Sequence, residues 1–497
     1  MIEEKLLKFP KGWASAQLAE ISEINPKFDG QGIHEDTVVS FLPMRYVEEI
    51  TGRIDLSQTK RLFEVKKGYT SFVEGDLLFA KITPCMENGK IAIAQGLRNG
   101  IGFGSTEFHV IRLYELLSQK FFFFFLVQEG IRKDAQRNMT GSAGQLRVPA
   151  NFIRLLDVPL PPFPEQHRIV AKIEELFTKL DAGVEALKKL KAQLKRYRQA
   201  VLKYAFEGKL TQEWRISDKG KVQSGNDYLR EISEEWLTKT KNKIKKLTAL
   251  DISNLPRLPS NWIWVRLGDL AWSVKDGPHY SPPYVNQGIP FITGGNVRPT
   301  GVDFSNAKRI TPELYEKLSQ RCKPEKGDIL YTKGGTTGIA RVNTYDYEFN
   351  VWVHVAVLKL VSQVEPFYIQ HALNSPFCYA QAQKFTHGVG NQDLGLTRMV
   401  NIILSLPPRD EQKEIIKRVE EHSSIHVETE KVLEQTLKQS ERLRQSILKK
   451  AFEGKLVPQD PTDEPAEKLL ERIKAEKAKK EAEIKRGRKR SNQMELV

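Results

Sequence analysis

The chain has 497 residues, of which 40% are hydrophobic and 9% aromatic, so it can build folded cores and is not wholly disordered. At roughly 150 residues per domain, this length suggests about three folded units. Its 77 lysines and arginines exceed its 62 aspartates and glutamates, which gives a formal net charge of +15. A chain this basic usually binds a polyanion, and nucleic acid is the first partner to consider.

The cysteines and the apolar segments indicate the cellular setting. Cys85, Cys322 and Cys378 are odd in number and far apart, which argues against a disulfide framework or a CxxC zinc site and favours a reducing cytosol. The first residues contain no apolar stretch typical of a signal peptide. The longest apolar run, residues 121–127, is too short to cross a bilayer. We therefore expect a cytoplasmic protein with no membrane partner, and a buried helix or strand at this run.

The second half of the chain repeats the first. RYRQAVLKYAFEGKL at residues 196–210 and RLRQSILKKAFEGKL at 442–456 are identical at eleven of fifteen positions, with an offset of 246. The strings LPPFPEQ and LPPRDEQ share that offset, and PKGW aligns with PSNW at an offset of 249. Matches that keep one order along the chain indicate two copies of one structural unit.

The repeat predicts six parts in chain order. They are a mixed α/β domain (1–164), a long helix (165–210), a linker (211–256), a second mixed domain (257–410), a second long helix (411–457) and a charged helical tail (458–497). Short strands, such as 76–82 and 328–332, are expected in the mixed domains among Gly, Pro and Asn turns. The Pro-rich strings end these domains, and the acidic residues Glu165 and Glu411 suit a helix N-terminus.

Apolar residues in the first long helix recur every three or four positions, which is typical of a coiled-coil seam. The predicted seam residues are Ile169, Ile173, Leu176, Leu180, Leu187 and Leu194 in the first helix, and Ile415, Val419, Leu433 and Ile447 in the second. The second seam is more polar, with His422 and His426 at equivalent positions. We predict that the two helices pair within one chain as an antiparallel coiled coil, related by a pseudo-two-fold axis. The fold class is then α/β (mixed α+β), in two copies.

Two connecting segments carry basic runs. The linker contains a candidate short helix at 228–237, and five lysines follow at Lys239, Lys241, Lys243, Lys245 and Lys246. The tail is expected to be helical from Pro465, and it ends in a basic run at 485–490.

Enzyme motifs are largely missing. No GxxxxGK[ST] string is present, so the chain is not expected to hydrolyse ATP itself. The string Ser281-Pro-Pro-Tyr284 is similar to a motif of amino-methyltransferases, in which the aromatic ring stacks on a flipped base. No Gly-rich turn with an acidic ribose partner accompanies it, so a Pro-rich loop is preferred. A single-chain DNA adenine methyltransferase is kept as an alternative.

Paired polar loops in the two halves suit DNA contact instead. Glycines let backbone approach a phosphate, Thr and Ser donate to its oxygens, and Gln, Asn and Arg contact base edges. The candidates are Lys81, Thr83, Thr140, Ser142, Gln145 and Arg147 in the first half, and His279, Tyr280, Lys333, Thr336, His387, Asn391 and Gln392 in the second. We predict neither catalytic nor metal-binding residues.

These features together resemble the specificity (S) subunit of Type I restriction–modification systems. The resemblance rests on the duplicated LPP…EQ helix starts, the two AFEGKL helix ends, TGSAGQLRVP at 140–149 and KDGPHYSPPYVNQGIPF at 275–291, and it covers essentially the whole chain. It implies that each half is a target-recognition domain that reads one part of a split, asymmetric site in double-stranded DNA. The long helices would fix the spacing between these parts.

The resemblance also implies partners and cofactors. The subunit itself would be non-catalytic and bind no cofactor. It would direct two modification subunits, which use S-adenosylmethionine to methylate adenine N6, and two restriction subunits, which use ATP and Mg²⁺. The two halves differ strongly between their shared landmarks, so they are expected to read different bases. A coiled-coil scaffold that binds protein and not DNA remains a second alternative.

Overall fold

The computed structural model describes residues 9–142, 144–217, 223–241, 250–388 and 392–479. Lys243, Lys245, Lys246, Asn391 and the basic run at 485–490 lie outside these residues. Two compact units divide the chain. Unit 1 contains the residues up to Leu187 and those from Gln435 onward, and unit 2 is Lys188–Glu434.

Unit 1 is built on ten strands. They are β1 Ala14–Gln17, β2 Ser22–Ile24, β3 Val38–Leu42, β4 Thr59–Arg61, β5 Thr70–Val73, β6 Leu77–Ala80, β7 Ile91–Ile93, β8 Ile101–Gly104, β9 Phe108–Leu113 and β10 Asp157–Leu160. β1 pairs with β10, and the other strands form two four-stranded sheets, in the orders β2-β9-β6-β7 and β4-β3-β8-β5. All of these pairings are antiparallel except that of β3 with β8.

Short helices cover the first of these sheets. The helices that begin in unit 1 are α1 Leu18–Ile21, α2 Leu62–Val65, α3 Gln119–Leu126, α4 Glu129–Arg137, α5 Ala150–Arg154 and the long α6 Phe163–Phe206. The apolar run at 121–127 lies mostly in α3, and its five phenylalanines are all buried. A helix that is apolar on all sides must lie inside a core, and α3 packs in the main core of the unit.

Unit 2 repeats this plan. Its strands are β11 Ile263–Arg266, β12 Ala271–Asp276, β13 Ile289–Ile292, β14 Val297–Arg298, β15 Gly301–Val302, β16 Lys308–Ile310, β17 Ile329–Thr332, β18 Ala340–Val342, β19 Asn350–Val351, β20 Val355–Leu360 and β21 Ile403–Leu406. The pair β11-β21 and the sheets β12-β20-β17-β18 and β16-β13-β19 correspond to sheets of unit 1. The parallel pairing of β13 with β19 matches that of β3 with β8. A fold of two mixed α/β copies is confirmed.

The remaining helices include the second long one. They are α7 Gln212–Ser217, α8 Gly225–Lys239, α9 Leu267–Leu270, α10 Pro312–Ser319, α11 Pro366–Leu373, α12 Pro376–Phe385, α13 Leu396–Met399 and α14 Arg409–Phe452. In the part of the chain that the structure describes, no helix has the length and apolarity that a membrane span requires.

The two long helices run antiparallel. Each has 44 residues, begins in one unit and ends in the other. Within unit 2, Lys191 Nζ is 2.8 Å from Glu434 Oε1 and Tyr197 Oη is 3.1 Å from His422 Nδ1, so residue numbers rise along α6 as they fall along α14. The predicted antiparallel pairing is confirmed.

Burial along the predicted seam is uneven. Ile169, Ile173, Ile415, Val419, Leu433 and Ile447 are buried, whereas Leu176, Leu180, Leu187 and Leu194 are half-buried. The apolar contacts are therefore strongest where a long helix meets a globular core and weaker along the middle of α6.

The repeated strings PKGW/PSNW and LPPFPEQ/LPPRDEQ form equivalent contacts in the two units. Trp13 Nε1 donates to Glu165 at 3.0 Å in unit 1, and Trp262 Nε1 donates to Glu411 at 2.8 Å in unit 2. The neighbouring glutamine in each copy donates to the proline carbonyl five residues earlier, at 3.1 Å in unit 1 and 2.9 Å in unit 2. Each Glu-Gln pair therefore fixes the start of a long helix to the first strand pair of a unit.

The repeat extends to the linker and the tail. Tyr228 and Ile232 of α8 are buried in unit 2, and Leu469 and Ile473, at an offset of 241, are buried in unit 1. The latter lie in a tail segment that is helical over residues 466–479. Each long helix is thus followed by a short amphipathic helix, which packs on the unit in which the long helix ends.

We predict that Gly208→Ala destabilises unit 2 by about 2 kcal/mol, because a left-handed backbone disfavours any Cβ. Gly208 has φ +72° just after α6, and an added Cβ would lie 2.5 Å from Pro259 Cγ. The control is Gly183→Ala, at an exposed position of α6 where an added Cβ meets nothing within 4 Å. This change should stabilise by about 0.5–1 kcal/mol. Thermal melts should show a lower melting temperature for Gly208→Ala and a higher one for Gly183→Ala. Equal shifts of the two melting temperatures would contradict the view that the glycine of the AFEGKL motif is needed for its left-handed backbone.

Candidate nucleic-acid interface

Two loops meet in unit 1 at the end of β6. Isolated bridges pair Arg147 with both Ile82 and Thr140. The Thr83 amide donates to the Leu146 carbonyl at 3.0 Å, and the Val148 amide donates to the Lys81 carbonyl at 2.8 Å. The structure therefore brings the two predicted loops of the first half together.

An ion pair supports this meeting point. The Arg147 guanidinium binds both carboxylate oxygens of Glu107, each at 2.9 Å. The hydrogen bonds from Arg147 hold the pKa of Glu107 below its usual range. Two parallel N–H···O bonds fix the guanidinium plane, so Arg147 holds the loop against β9. Lys81 is half-buried, and its ammonium forms no ion pair among the described residues.

Unit 2 contains the same backbone arrangement. Asp393 bridges to Gly334 and to His387, and the Leu394 amide donates to the Lys333 carbonyl at 2.7 Å. This hydrogen bond is the counterpart of the one between Val148 and Lys81. We call this set of backbone bridges and hydrogen bonds between the two loops of a unit the loop frame. The frame is shared by the two units, but an aspartate stands where unit 1 has Arg147.

Lys333 is the buried centre of the unit 2 frame. Its side chain is 3% exposed, and Nζ lies 2.9 Å from Asp393 Oδ2 and 3.4 Å from Asp276 Oδ2. Asp276 is also buried, and it binds Arg321 at 2.8 Å and His279 Nε2 at 3.3 Å. Lys333, which the sequence predicts as a DNA contact, is thus placed here as a buried lysine with two carboxylate partners.

The other predicted loop residues face solvent. Thr140, Ser142, Gln145, Thr336, His387 and Gln392 are exposed, and so are His279 and Tyr280 in the turn after β12. Thr83 is half-buried, and its hydroxyl donates to Glu87. Asn391 lies outside the described residues. The exposed set can donate and accept hydrogen bonds, while the bridging residues beneath it hold the loops.

Three residues of this arrangement are not among the candidate DNA contacts predicted from the sequence. Glu107, Asp276 and Asp393 are the acidic partners that hold Arg147 and Lys333. Asp276 precedes Lys333 by 57 positions, so no local spacing connects them. The sequence does place a Lys or Arg near glycines in each loop. If such a cation is buried, it requires an acidic partner nearby, and this was the signal from which the acidic residues could have been sought.

Tyr284, the aromatic residue of the string Ser281-Pro-Pro-Tyr284, is 36% exposed, and its ring contacts side chains of the protein. Lys308 Nζ lies 4.1 Å from the centroid of the Tyr284 ring, which also packs against Phe291. Within the described ranges, no group of three or more His, Cys, Asp or Glu residues is placed to hold a metal ion.

Comparisons with known proteins agree with this architecture. The family described as "Type I restriction modification DNA specificity domain" matches residues 10–196 and 259–439. The specificity subunit of the Type I restriction enzyme EcoAI from Escherichia coli is 30% identical over 375 residues, which cover 66% of this chain and 62% of that protein. The EcoEI specificity subunit from Escherichia coli is 28% identical over 482 residues, which cover 84% and 79%.

A solved structure supports the fold. The HsdS subunit from Thermoanaerobacter tengcongensis has a TM-score of 0.55 at 19% identity, covering 90% of this chain and 98% of that one. The family match falls once in each copy of the repeat and spans most of the chain. The chain therefore belongs to the family of Type I restriction–modification DNA specificity subunits.

Proposed function

We propose that the two units read the two parts of a split, asymmetric DNA site. The observation that carries this proposal is the shared frame with different side chains: Arg147 bonded to Glu107 in unit 1, and Asp393 bonded to Lys333 in unit 2. An identical frame presents each loop in a similar manner, and the different exposed residues would select different bases.

The polar residues take two roles in this proposal. The exposed side chains of Ser142, Gln145, Thr336, His387 and Gln392 contact bases and phosphates, and we place Asn391, Thr140, His279 and Tyr280 with them. Lys333, Arg147 and Thr83 position the loops through bonds inside the protein. Lys81, which forms no ion pair among the described residues, supplies a phosphate contact with salt-dependent affinity.

The subunit is non-catalytic, as the family to which it belongs is named for specificity. We propose that it directs two modification and two restriction subunits to its site in the cytoplasm, and that S-adenosylmethionine, ATP and Mg²⁺ are used by those partners. Exposed large apolar side chains on the long helices support protein docking. They are Leu190, Tyr197 and Tyr204 on α6 and Ile425, Val427, Val432 and Leu443 on α14.

Methylation mapping tests the proposal directly. We expect a split, asymmetric motif to be methylated in cells that contain this chain and its methyltransferase partner, and not in cells that contain the partner alone. An identical methylation map in the two strains would overturn the function proposed here.

Single substitutions then assign the halves. We expect Gln145→Ala to relax base preference in one part of the motif and Gln392→Ala to relax it in the other, because each good pair of base contacts contributes about 1–3 kcal/mol of discrimination. Asp346→Ala is the control, since this side chain is 78% exposed and paired only with Lys326 at the surface. Relaxation in the same half by both variants would contradict the assignment of one unit to each half.

The two alternatives make different predictions. A methyltransferase centred on Tyr284 is not retained, because the family is that of specificity subunits. A scaffold that binds only protein predicts no steep salt dependence, whereas DNA affinity falls with a slope of about −0.9 per phosphate neutralised.

A further inference from the structure

A cleft of about 240 Å³ in unit 2 lies between α6, the β17–β18 hairpin and helices α11 and α12. Arg198 and Arg341 line it together with His371, Asn374 and Tyr379. None of the described residues that line this cleft is acidic. It therefore concentrates two positive charges beside neutral hydrogen-bond donors.

The two arginines of this cleft have no acidic partner among the described residues. Arg198 is exposed and forms no ion pair among the described residues. Arg341 is half-buried, and its guanidinium donates to the Pro299 carbonyl at 3.0 Å. His371 Nε2 is buried without a hydrogen-bond partner in the described structure. Buried polar atoms normally have partners, so this nitrogen is a hydrogen-bonding group that the described protein leaves unsatisfied at the wall of the cleft.

The protonation state of His371 suits a neutral donor. Burial, and then the neighbouring positive charges of Arg341 and Arg198, together lower its pKa to about 4. The ring is therefore neutral near pH 7 and carries one N–H, while the two guanidinium groups carry the charge.

Unit 1 has a corresponding cleft in which the same charge is neutralised. Arg444, the counterpart of Arg198 at an offset of 246, is ion-paired with Asp181 and lies over the Phe177 ring at 4.2 Å. The sixth residue of α3 is Phe124, where α11 has His371. Phe124 stacks edge-on with Phe177, at 5.8 Å between centroids. The unpaired arginine and the histidine thus set the unit 2 cleft apart from its repeat.

The cleft is continuous with the candidate recognition loops. Gly338, at the end of the loop that contains Thr336, lines it beside Tyr379 of α12. α12 ends at Phe385, directly before the loop that contains His387. Six helical steps from Tyr379 to Phe385 rise about 9 Å, and the two residues that follow to His387 add at most about 7 Å. A distance of about 9–16 Å corresponds to the axial rise of about three to five nucleotides of one strand.

From this arrangement we propose that the cleft of Arg198, Arg341, His371 and Tyr379 binds a backbone phosphate of the DNA, a few nucleotides from the bases read by unit 2. The inference rests on the proposed function. Arginine fits a phosphate with paired N–H donors, and the histidine and tyrosine supply further donors. The contact would fix the position of unit 2 on DNA without selecting sequence.

Salt titration of DNA binding tests the site. The full-length chain, co-expressed with its methyltransferase partner, is titrated with a duplex that contains the methylated motif and with an unrelated duplex, between about 50 and 200 mM salt. We expect Arg198→Ala and Arg341→Ala each to make the slope of log K against log salt shallower by about one unit on both duplexes. The methylated motif should not change. Arg198→Lys, which keeps the charge, should retain most of the slope.

The matched control is Arg444→Ala, which should leave the slope unchanged because Asp181 already neutralises that arginine. Equal slopes for Arg198→Ala and Arg444→Ala would overturn the phosphate site. An unchanged slope with loss of the bound methyltransferase partner would also overturn it and assign the cleft to an acidic protein surface. If the unsubstituted complex bound both duplexes equally and methylated no motif, the proposed function itself would fail.

Discussion

Glu411→Ala is expected to lower the free energy of unfolding of unit 2 by about 3–5 kcal/mol, the usual cost of removing one partner from a buried ion pair. The Glu411 carboxylate is 1% exposed and ion-paired with Arg215. It also accepts hydrogen bonds from Trp262 Nε1 at 2.8 Å and Thr211 Oγ1 at 2.7 Å. The substitution leaves the Trp262 indole N–H without its acceptor, and it removes the carboxylate partner of a largely buried guanidinium, which keeps its hydrogen bonds to Thr211 Oγ1 and the Gly208 carbonyl.

Two controls accompany this variant in urea-unfolding experiments. Asp410→Ala alters the preceding residue of α14, whose side chain is 84% exposed, and should change the free energy of unfolding by less than about 0.5 kcal/mol. Glu165→Ala alters the unit 1 counterpart, which bonds to Trp13 and Gln459 without an arginine, and should cost less than Glu411→Ala. If Glu411→Ala lowered the free energy of unfolding by less than about 1 kcal/mol, the Glu-Gln pair would not be what fixes the start of the long helix.

Lys333→Met is expected to abolish methylation of the native motif and to destabilise unit 2 by about 3 kcal/mol. Methionine has a similar length but leaves the carboxylates of Asp276 and Asp393 without the ammonium that joins them. Since Asp393 bridges to His387 at the base of the recognition loop, the loop should lose its position.

Lys81→Met is the matched comparison at the equivalent position of unit 1. We expect no change in melting temperature, because Lys81 forms no ion pair among the described residues. The salt slope of DNA affinity should become shallower by about one unit. Melting curves, salt titrations and methylation maps of the two variants distinguish a positioning lysine from a contact lysine. Equal effects of the two substitutions on stability would refute that distinction.

The architecture could be predicted because the sequence contains an internal repeat. The AFEGKL and LPP…EQ strings mark contacts that both units need, so their residue types recur and the repeat is visible. The packing of α8 and the tail helix also recurs, but at positions 228–238 and 469–479 the copies share only an apolar pattern and three identities. Burial of one helix face requires apolar residues and not particular ones, so that part of the repeat was not recognised.

The candidate site could be predicted only in part. Polar loops with glycines were recognised in both units, but the burial of Lys333 was not, because it depends on Asp276 at the end of another strand, β12. The cleft at Arg198 was also missed. In the sequence Arg198 and Arg444 occupy equivalent positions of the repeat, and Asp181, the acidic partner of Arg444, has Val427 as its counterpart at the same offset of 246. Tertiary contacts of this kind have no local signal.

The division of each long helix between two units has a consequence for the order of synthesis. Unit 2 is one continuous segment, whereas unit 1 needs both the first 187 residues and those from Gln435 onward. Roughly 250 residues must be translated in between, which takes about 12–50 s at 5–20 residues per second. During this interval Phe121 and Phe125 lack Phe452, whose ring later packs within 5.4 Å of both. The unit that the ribosome begins first is therefore the last to be completed, and its nascent form exposes apolar surface to chaperones.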